Sequence, residues 1–188
     1  GFEDLRDLDA VVVTHQHADH LDLARLGDLV WANPGVAVYA DPQSQQILAA
    51  AGIDTVVTRS GAQVLVGEVT LTGVGTEHAF NHEWMPTVAN VGVVLRATGE
   101  PSIYHPGDAY DGEAGPVDVL AVPINAPWTA VRDSIAFVRR VAPGQVVPIH
   151  DALLSPQGRV LYLGHIGANG GGAAVTDLVG RGAVTVGG

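Results

Sequence analysis

The chain contains no cysteine, and all nine of its basic residues are arginine; lysine is absent from its 188 residues. Without cysteine there are no disulfide staples, cysteine-type zinc knuckles, iron–sulfur ligands or thiol nucleophile. Set against twenty acidic residues, the nine arginines leave a net charge of −11. Phosphate backbones are gripped by clustered Lys and Arg, so no nucleic-acid partner is expected. A bound divalent cation would offset part of that charge locally. No apolar run approaches the ~20 residues needed to cross a bilayer. The opening segment, Gly1-Phe2-Glu3-Asp4-Leu5-Arg6-Asp7, carries acids and no apolar stretch, so it does not read as a signal peptide. The expectation is a cytoplasmic chain with no membrane partner.

Apolar residues are plentiful. They make up 47% of the chain, enough to bury a core and to exclude general disorder. The length suits one domain, 1–188, and no shift of composition marks a second. The pattern is α/β with many strands. Leu8–Thr14 is a valine-rich run of the kind that forms a buried strand. Leu23, Leu26, Leu29 and Val30 recur at helical spacing within 22–32. A strand is expected at 36–40. Asp41 and Pro42 then open a helix that Gly52 stops. Short strands are expected at 55–58, 63–66, 69–74, 91–97, 102–105, 117–122 and 145–149, with a helix at 129–141 closed by Pro143-Gly144. Ser155-Pro156 can open one more helix, which Gly158, Gly164 and Gly167 weaken. The glycine cluster at 164–172 reads as a flexible loop, and 184–186 as a short closing strand.

The informative segment is His15-Gln16-His17-Ala18-Asp19-His20, which puts four potential metal ligands in six positions directly after a buried strand. Where the chain leaves the strand, His15 and His17 can point to one side and Asp19 and His20 to a second point nearby. Imidazole and carboxylate suit Zn(II), Mn(II) and Fe(II). His78, Asp108 and His150 each follow another expected strand, where sites on open sheets collect.

This order of residues resembles that of the metallo-β-lactamase-fold hydrolases, from about Asp9 to Asp151. Asn90–Leu95, His105–Asp108, Pro123–Trp128 and Pro148–Asp151 are similar to the branch of small hydrolases that includes the L-ascorbate-6-phosphate lactonases. The resemblance implies a four-layer αβ/βα sandwich and two divalent metal ions, zinc first, with manganese or iron as alternatives. It implies that His15, His17 and His78 hold one metal, that Asp19, His20 and His150 hold the other, and that Asp108 bridges them. The implied reaction is hydrolysis of a small ester-like substrate (a lactone, phosphodiester or phosphorylated sugar derivative) by a hydroxide between the two metals. Asp19 would orient that water or shuttle its proton, so Asp19 and Asp108 are the candidate catalytic carboxylates. Within the superfamily, flavodiiron oxidoreductases place Glu where His17 stands, and true β-lactamases lack the bridging Asp. Redox chemistry and antibiotic hydrolysis are therefore not expected. Nor are the basic exosite of the ribonucleases or the C-terminal helices of glyoxalase II visible.

Further residues are candidates for the rim. His82, in the loop after His78, is the alternative ligand, but Thr76-Glu77-His78 continues its strand directly and is preferred. Trp84 and Met85 can cover the site. His105 is a candidate partner for a metal ligand or a plain strand-end residue. Asn125 and Trp128 can meet substrate, and Asp151 can hold the ring of His150 or cap the next turn. His165 is expected to be exposed.

Only fourteen residues precede His15, whereas this fold normally places several strands there. The N-terminal strands are therefore expected to be missing or short, leaving an open sheet edge. A homo-oligomer that completes the sheet is one consequence. Two competing functions remain: a phosphodiesterase or nuclease of the same fold, and a metal-binding fragment without activity.

Overall fold

The structure is a computed structural model that describes residues 1–187. It has two β-sheets, one of three strands and one of seven. The smaller sheet is parallel, in the order β1 (Ala10–Val13), β2 (Ala37–Ala40), β3 (Val56–Val57). Parallel neighbours need crossovers, and α1 (Leu23–Ala32) and α2 (Pro42–Ala50) supply them. Both helices start where the sequence dictates. Asp22 accepts the backbone N–H groups of Ala24 and Arg25, and Asp41 those of Gln43 and Ser44. Leu26, Leu29 and Leu48 bury against Val13, Val38 and Ala40 to form the first core.

The larger sheet contains β4 (Gln63–Val66), β5 (Val69–Val74), β6 (Gly92–Arg96), β7 (Ile103–His105), β8 (Val119–Pro123), β9 (Gln145–Ile149) and β10 (Ala174–Val175). The order is β10-β9-β8-β7-β6-β5-β4. Strands β4 to β7 pair antiparallel and β7 to β10 pair parallel. Helices α3 (Val131–Val141) and α4 (Pro156–Asn169) pack on it through Phe137, Val138 and Ile166. The two sheets face each other across an apolar cavity of about 490 Å³, lined by Val11, Val13, Leu26 and Leu29 on one side and Val93 and Leu95 on the other. This is the αβ/βα layering expected. Among the described residues no strand pairs with the outer edge of β1.

Three expectations are corrected. The segment 164–172 is not simply a loop: α4 runs through Gly158, Gly164 and Gly167 to Asn169. Ser155 caps it by accepting the N–H of Gly158, and Ile166 is fully buried in the core. Tertiary packing outweighs the weak propensity of the glycines. Residues 184–186 form no strand. The short strand is β10, which extends the parallel ladder beside β9. Finally, α3 begins at Val131, because the carboxylate of Asp133 caps the N–H of Ala130.

Candidate active site

Each candidate ligand lies just past the C-terminal end of a strand: His15 after β1, His78 after β5, Asp108 after β7 and His150 after β9. The two sheets turn these ends toward one another, as the backbone bond from Val91 N–H to the Thr14 carbonyl shows, at 2.9 Å. The loop after β1 doubles back at once, with the N–H groups of His20 and Leu21 both bound to the His17 carbonyl at 2.8 Å.

Asp108 is at the centre. Its Oδ2 lies 3.1 Å from His150 Nε2, 3.4 Å from His78 Nε2 and 4.0 Å from His15 Nε2, and its Oδ1 lies 3.2 Å from His20 Nε2. Asp19 Oδ2 lies 3.4 Å from His150 Nε2 and 3.7 Å from His20 Nε2. Three overlapping groups have ligand atoms within 4.8 Å of one another: His15, His17 and His78; His15, His20 and Asp108; and Asp19, His20 and His150. The structure thus brings together all seven residues singled out by the motif.

The backbone sets the direction of the rings. His78 Nδ1 is 2.6 Å from the Ala79 carbonyl, and His150 Nδ1 is 2.8 Å from the Asn125 carbonyl. A carbonyl only accepts, so each Nδ1 carries a proton and each Nε2 is turned to the cluster, where a metal would take its lone pair. His15 Nδ1 meets Thr14 Oγ1 at 3.2 Å. His15 Nε2, His78 Nε2, His150 Nε2 and Asp108 Oδ1 are buried without a hydrogen-bond partner, being close to one another but misaligned for donation. Buried polar atoms are rarely left so. Buried polar atoms left unpartnered around one carboxylate, within metal-ligand distance of further imidazoles, fit cations that would take up their lone pairs.

The electrostatics differ across the cluster: His15 and His17 are held neutral, whereas His150 is held as a cation beside Asp108 until a metal displaces its proton. Burial, reinforced by the neighbouring His20, holds His15 neutral down to about 2. Burial also lowers His17, with His78 adding to the effect. Burial works against ionisation of Asp108, but the imidazoles of His150, His20 and His78 hold it below the usual carboxylate range. Asp108 in turn pushes His150 up to about 9.

Two backbone features fix the central residues. Gly107 has a φ of +64°, and a Cβ there would lie 2.2 Å from Asn90 Oδ1, so only glycine lets the turn into Asp108 form. His150 is one of three non-glycine residues at positive φ, at 58°, a conformation that costs energy unless its surroundings enforce it.

The rim residues divide. Trp128 is at the site, its Nε1–H donating to Asp108 Oδ2 at 3.0 Å. Asn125 is beside it and contributes its carbonyl to His150. His82 stays outside the cluster, so the preference for His78 stands. Trp84 is 86% exposed and touches the ring of His82. His105 accepts the N–H of Gly107 at 3.2 Å and so serves the strand-end turn rather than a candidate ligand. Asp151 does not hold the ring of His150, because the Asn125 carbonyl occupies that nitrogen; it binds Arg159 Nε instead. His165 is exposed, as expected. Sequence reasoning gave no role to Asn90. It is fully buried, accepts the N–H of Asp108 at 2.9 Å and donates to the Pro106 carbonyl at 2.9 Å. The one available signal was a polar amide at the head of a valine-rich strand.

Two facing sheets that bring imidazoles and carboxylates together at their strand ends define the class: the protein is a metallo-β-lactamase-fold hydrolase. Residues 3–150 match the family model described as the beta-lactamase superfamily domain, and the chain belongs to that family. It is 36% identical to Protein Rv0786c of Mycobacterium tuberculosis over 167 residues, covering 88% of this chain and 77% of the relative. It is 31% identical to the UPF0173 metal-dependent hydrolase PYRAB05000 of Pyrococcus abyssi over 163 residues, covering 79% and 68%. Among solved structures, Igni18, a metallo hydrolase of Ignicoccus hospitalis, superposes with a TM-score of 0.67 at 20% identity over 90% of this chain and 75% of that one. YhfI of Bacillus subtilis, a metallo-beta-lactamase fold protein, does so with 0.68 at 14% over 90% and 74%.

Proposed function

We propose that this protein is a dinuclear metal-dependent hydrolase of small ester-like substrates, a class that takes in lactones, phosphodiesters and phosphorylated sugar derivatives. The observation that carries this reading is the set of orphaned, buried lone-pair atoms around Asp108. His15, His17 and His78 would hold one ion and Asp19, His20 and His150 the other, with Asp108 shared between them. Two ions fit seven donors better than one, because His15, His17 and His78 form one group and Asp19, His20 and His150 another with no member in common, and the group with Asp108 links them through His15 and His20. Zinc suits the imidazole-rich set best, and manganese or iron is compatible with it. When bound, such ions supply an acidified water as nucleophile and a Lewis acid for the carbonyl or phosphoryl oxygen.

The protein's own groups do the rest. Asp19 has a side chain 64% exposed, with one oxygen turned to His20 and His150. Its other oxygen is available to orient the attacking water and accept its proton. The backbone carbonyls behind His78 and His150 hold both rings in the ligating tautomer. Two features support a small, uncharged or weakly anionic substrate over nucleic acid: the net charge of −11 and the absence of lysine. No helix among the described residues is long and apolar enough to cross a membrane.

The test is metal content by plasma mass spectrometry on the purified protein and on Asp108→Ala, alongside hydrolysis of a lactone and phosphodiester panel. The expected result is two ions per chain, both weakened in the variant, with activity reduced at least about a thousandfold, the scale set by losing a transition-state charge stabiliser. A parent chain that takes up no metal, or a variant that keeps both ions, overturns the reading.

A further inference from the structure

We infer that Trp128 is a positioning residue for the central carboxylate, acting through its indole N–H on Asp108; this rests on the metal-site reading above. The indole lies on the connection between β8 and α3, where an isolated bridge between Ala126 and Thr129 pins the loop. Its Nε1–H donates to Asp108 Oδ2, the oxygen that faces His15, His78 and His150. The ring meets His78 edge-on at 5.8 Å and His150 edge-on at 6.3 Å. Behind it stands Tyr110, 4.9 Å away and edge-on, stacked in turn on the buried Phe137. The Tyr110 hydroxyl donates to the Pro123 carbonyl at 2.5 Å, and Thr129 Oγ1 donates to that hydroxyl at 3.2 Å. The indole is therefore braced from the core and aimed at one carboxylate oxygen.

Its chemistry differs from that of the other neighbours. The histidine Nε2 atoms around Asp108 are lone-pair donors once a cation is bound, so none of them can then give Asp108 a proton. Indole N–H is a donor only. Among the side chains that contact the carboxylate oxygens, it alone can keep a hydrogen bond on them in both the metal-free and the metal-loaded state. The same short connection supplies the Asn125 carbonyl to His150. One loop thus orients two of the seven ligands, one through a backbone acceptor and one through a side-chain donor.

Two measurements test this. Trp128→Phe keeps the aromatic contacts and removes only the donor. Zinc affinity, measured by competition with a chromophoric chelator, should fall tenfold to a hundredfold, the range seen when outer partners of ligands are lost. Trp31 and Trp84 are each 86% exposed, so in a Trp31→Phe, Trp84→Phe protein the remaining emission comes from Trp128. That emission should change along the zinc titration with the midpoint of metal binding. A Trp128→Phe protein that binds zinc as tightly as the parent overturns the inference, as does an emission that ignores zinc. A role in packing alone, or in touching substrate alone, would leave zinc affinity in Trp128→Phe unchanged. If the parent itself binds no zinc, the metal-site reading fails first and takes this inference with it.

Discussion

The two halves of the cluster are built differently. His15 and His78 are buried, the first past the end of β1 and the second past the end of β5. On the other side, Asp19 is largely in solvent, and His150 holds a left-handed backbone at the very end of β9. The buried half is made rigid by packing. The open half is held by polar tethers: the Asn125 carbonyl on the His150 ring, and Arg159 on Asp151, the next residue in the chain. Arg159 is itself fixed by a two-armed ion pair to Asp177, at 2.6 and 2.7 Å. The contrast teaches where binding strength and where access reside. Rigid, dry ligands favour tight metal capture, while the exposed side leaves room for water and substrate.

The most damaging way to test that contrast is to remove one ligand from each half. His78→Ala should lose the ion of the buried group and His150→Ala that of the open group, each leaving one ion per chain. Activity should fall in both by more than the roughly hundredfold typical of losing an outer partner, and a chelator titration separates them, because the ion that remains in His150→Ala should be the tighter bound. Next in size is Asn90→Ala, which strands the Asp108 N–H and the Pro106 carbonyl in the core. Denaturant unfolding should show a loss of about 1–3 kcal/mol. Arg159→Ala, by freeing Asp151, should weaken the second ion by about tenfold and leave the first unchanged. Equal loss of both ions would show that the halves are not independent.

The gentlest probe is pH, applied to metal-stripped protein. His15 has an ordinary value of 6.5 when unfolded and about 2 in the fold. Below 6.5 the unfolded chain therefore binds a proton that the native state refuses, and stability falls as pH drops. His150 has a native value of about 9 against 6.5. Its contribution is complete below 6.5 and is lost as pH rises through 9. Stability should peak near the shared ordinary value and fall on either side of it. His15→Asn should flatten the acid limb, and an unchanged acid limb would contradict the buried state of His15.

Much of this was legible in the chain. His15, His17, Asp19 and His20 announce themselves by spacing, His78 and His150 by their places after valine-rich runs, and Asp108 by its place in the Pro106-Gly107 turn after a short strand. β4, β5 and β9 fall on the expected residues because alternation and turn glycines bound them closely. What orients the ligands was less visible. The carbonyls of Ala79 and Asn125 belong to the backbone and carry no residue signature. Asp151 sits beside His150 in sequence yet turns to Arg159, a partner that only the docking of α4 brings near. That helix was itself obscured by its glycines, since its stability comes from burying Ile166 and not from local preference.

The change of strand direction at β7 has a consequence for the order in which the molecule assembles. The β4–β5 and β6–β7 hairpins close over short stretches of chain. The β7–β8 and β8–β9 pairings must wait for longer crossovers, and non-local pairings form late. His150 rides on β9, so the cluster is completed only when the slow half of the sheet has docked. Zinc added during refolding should then be captured after the hairpin amides are protected from hydrogen exchange, making the metal a clock for the last step of folding.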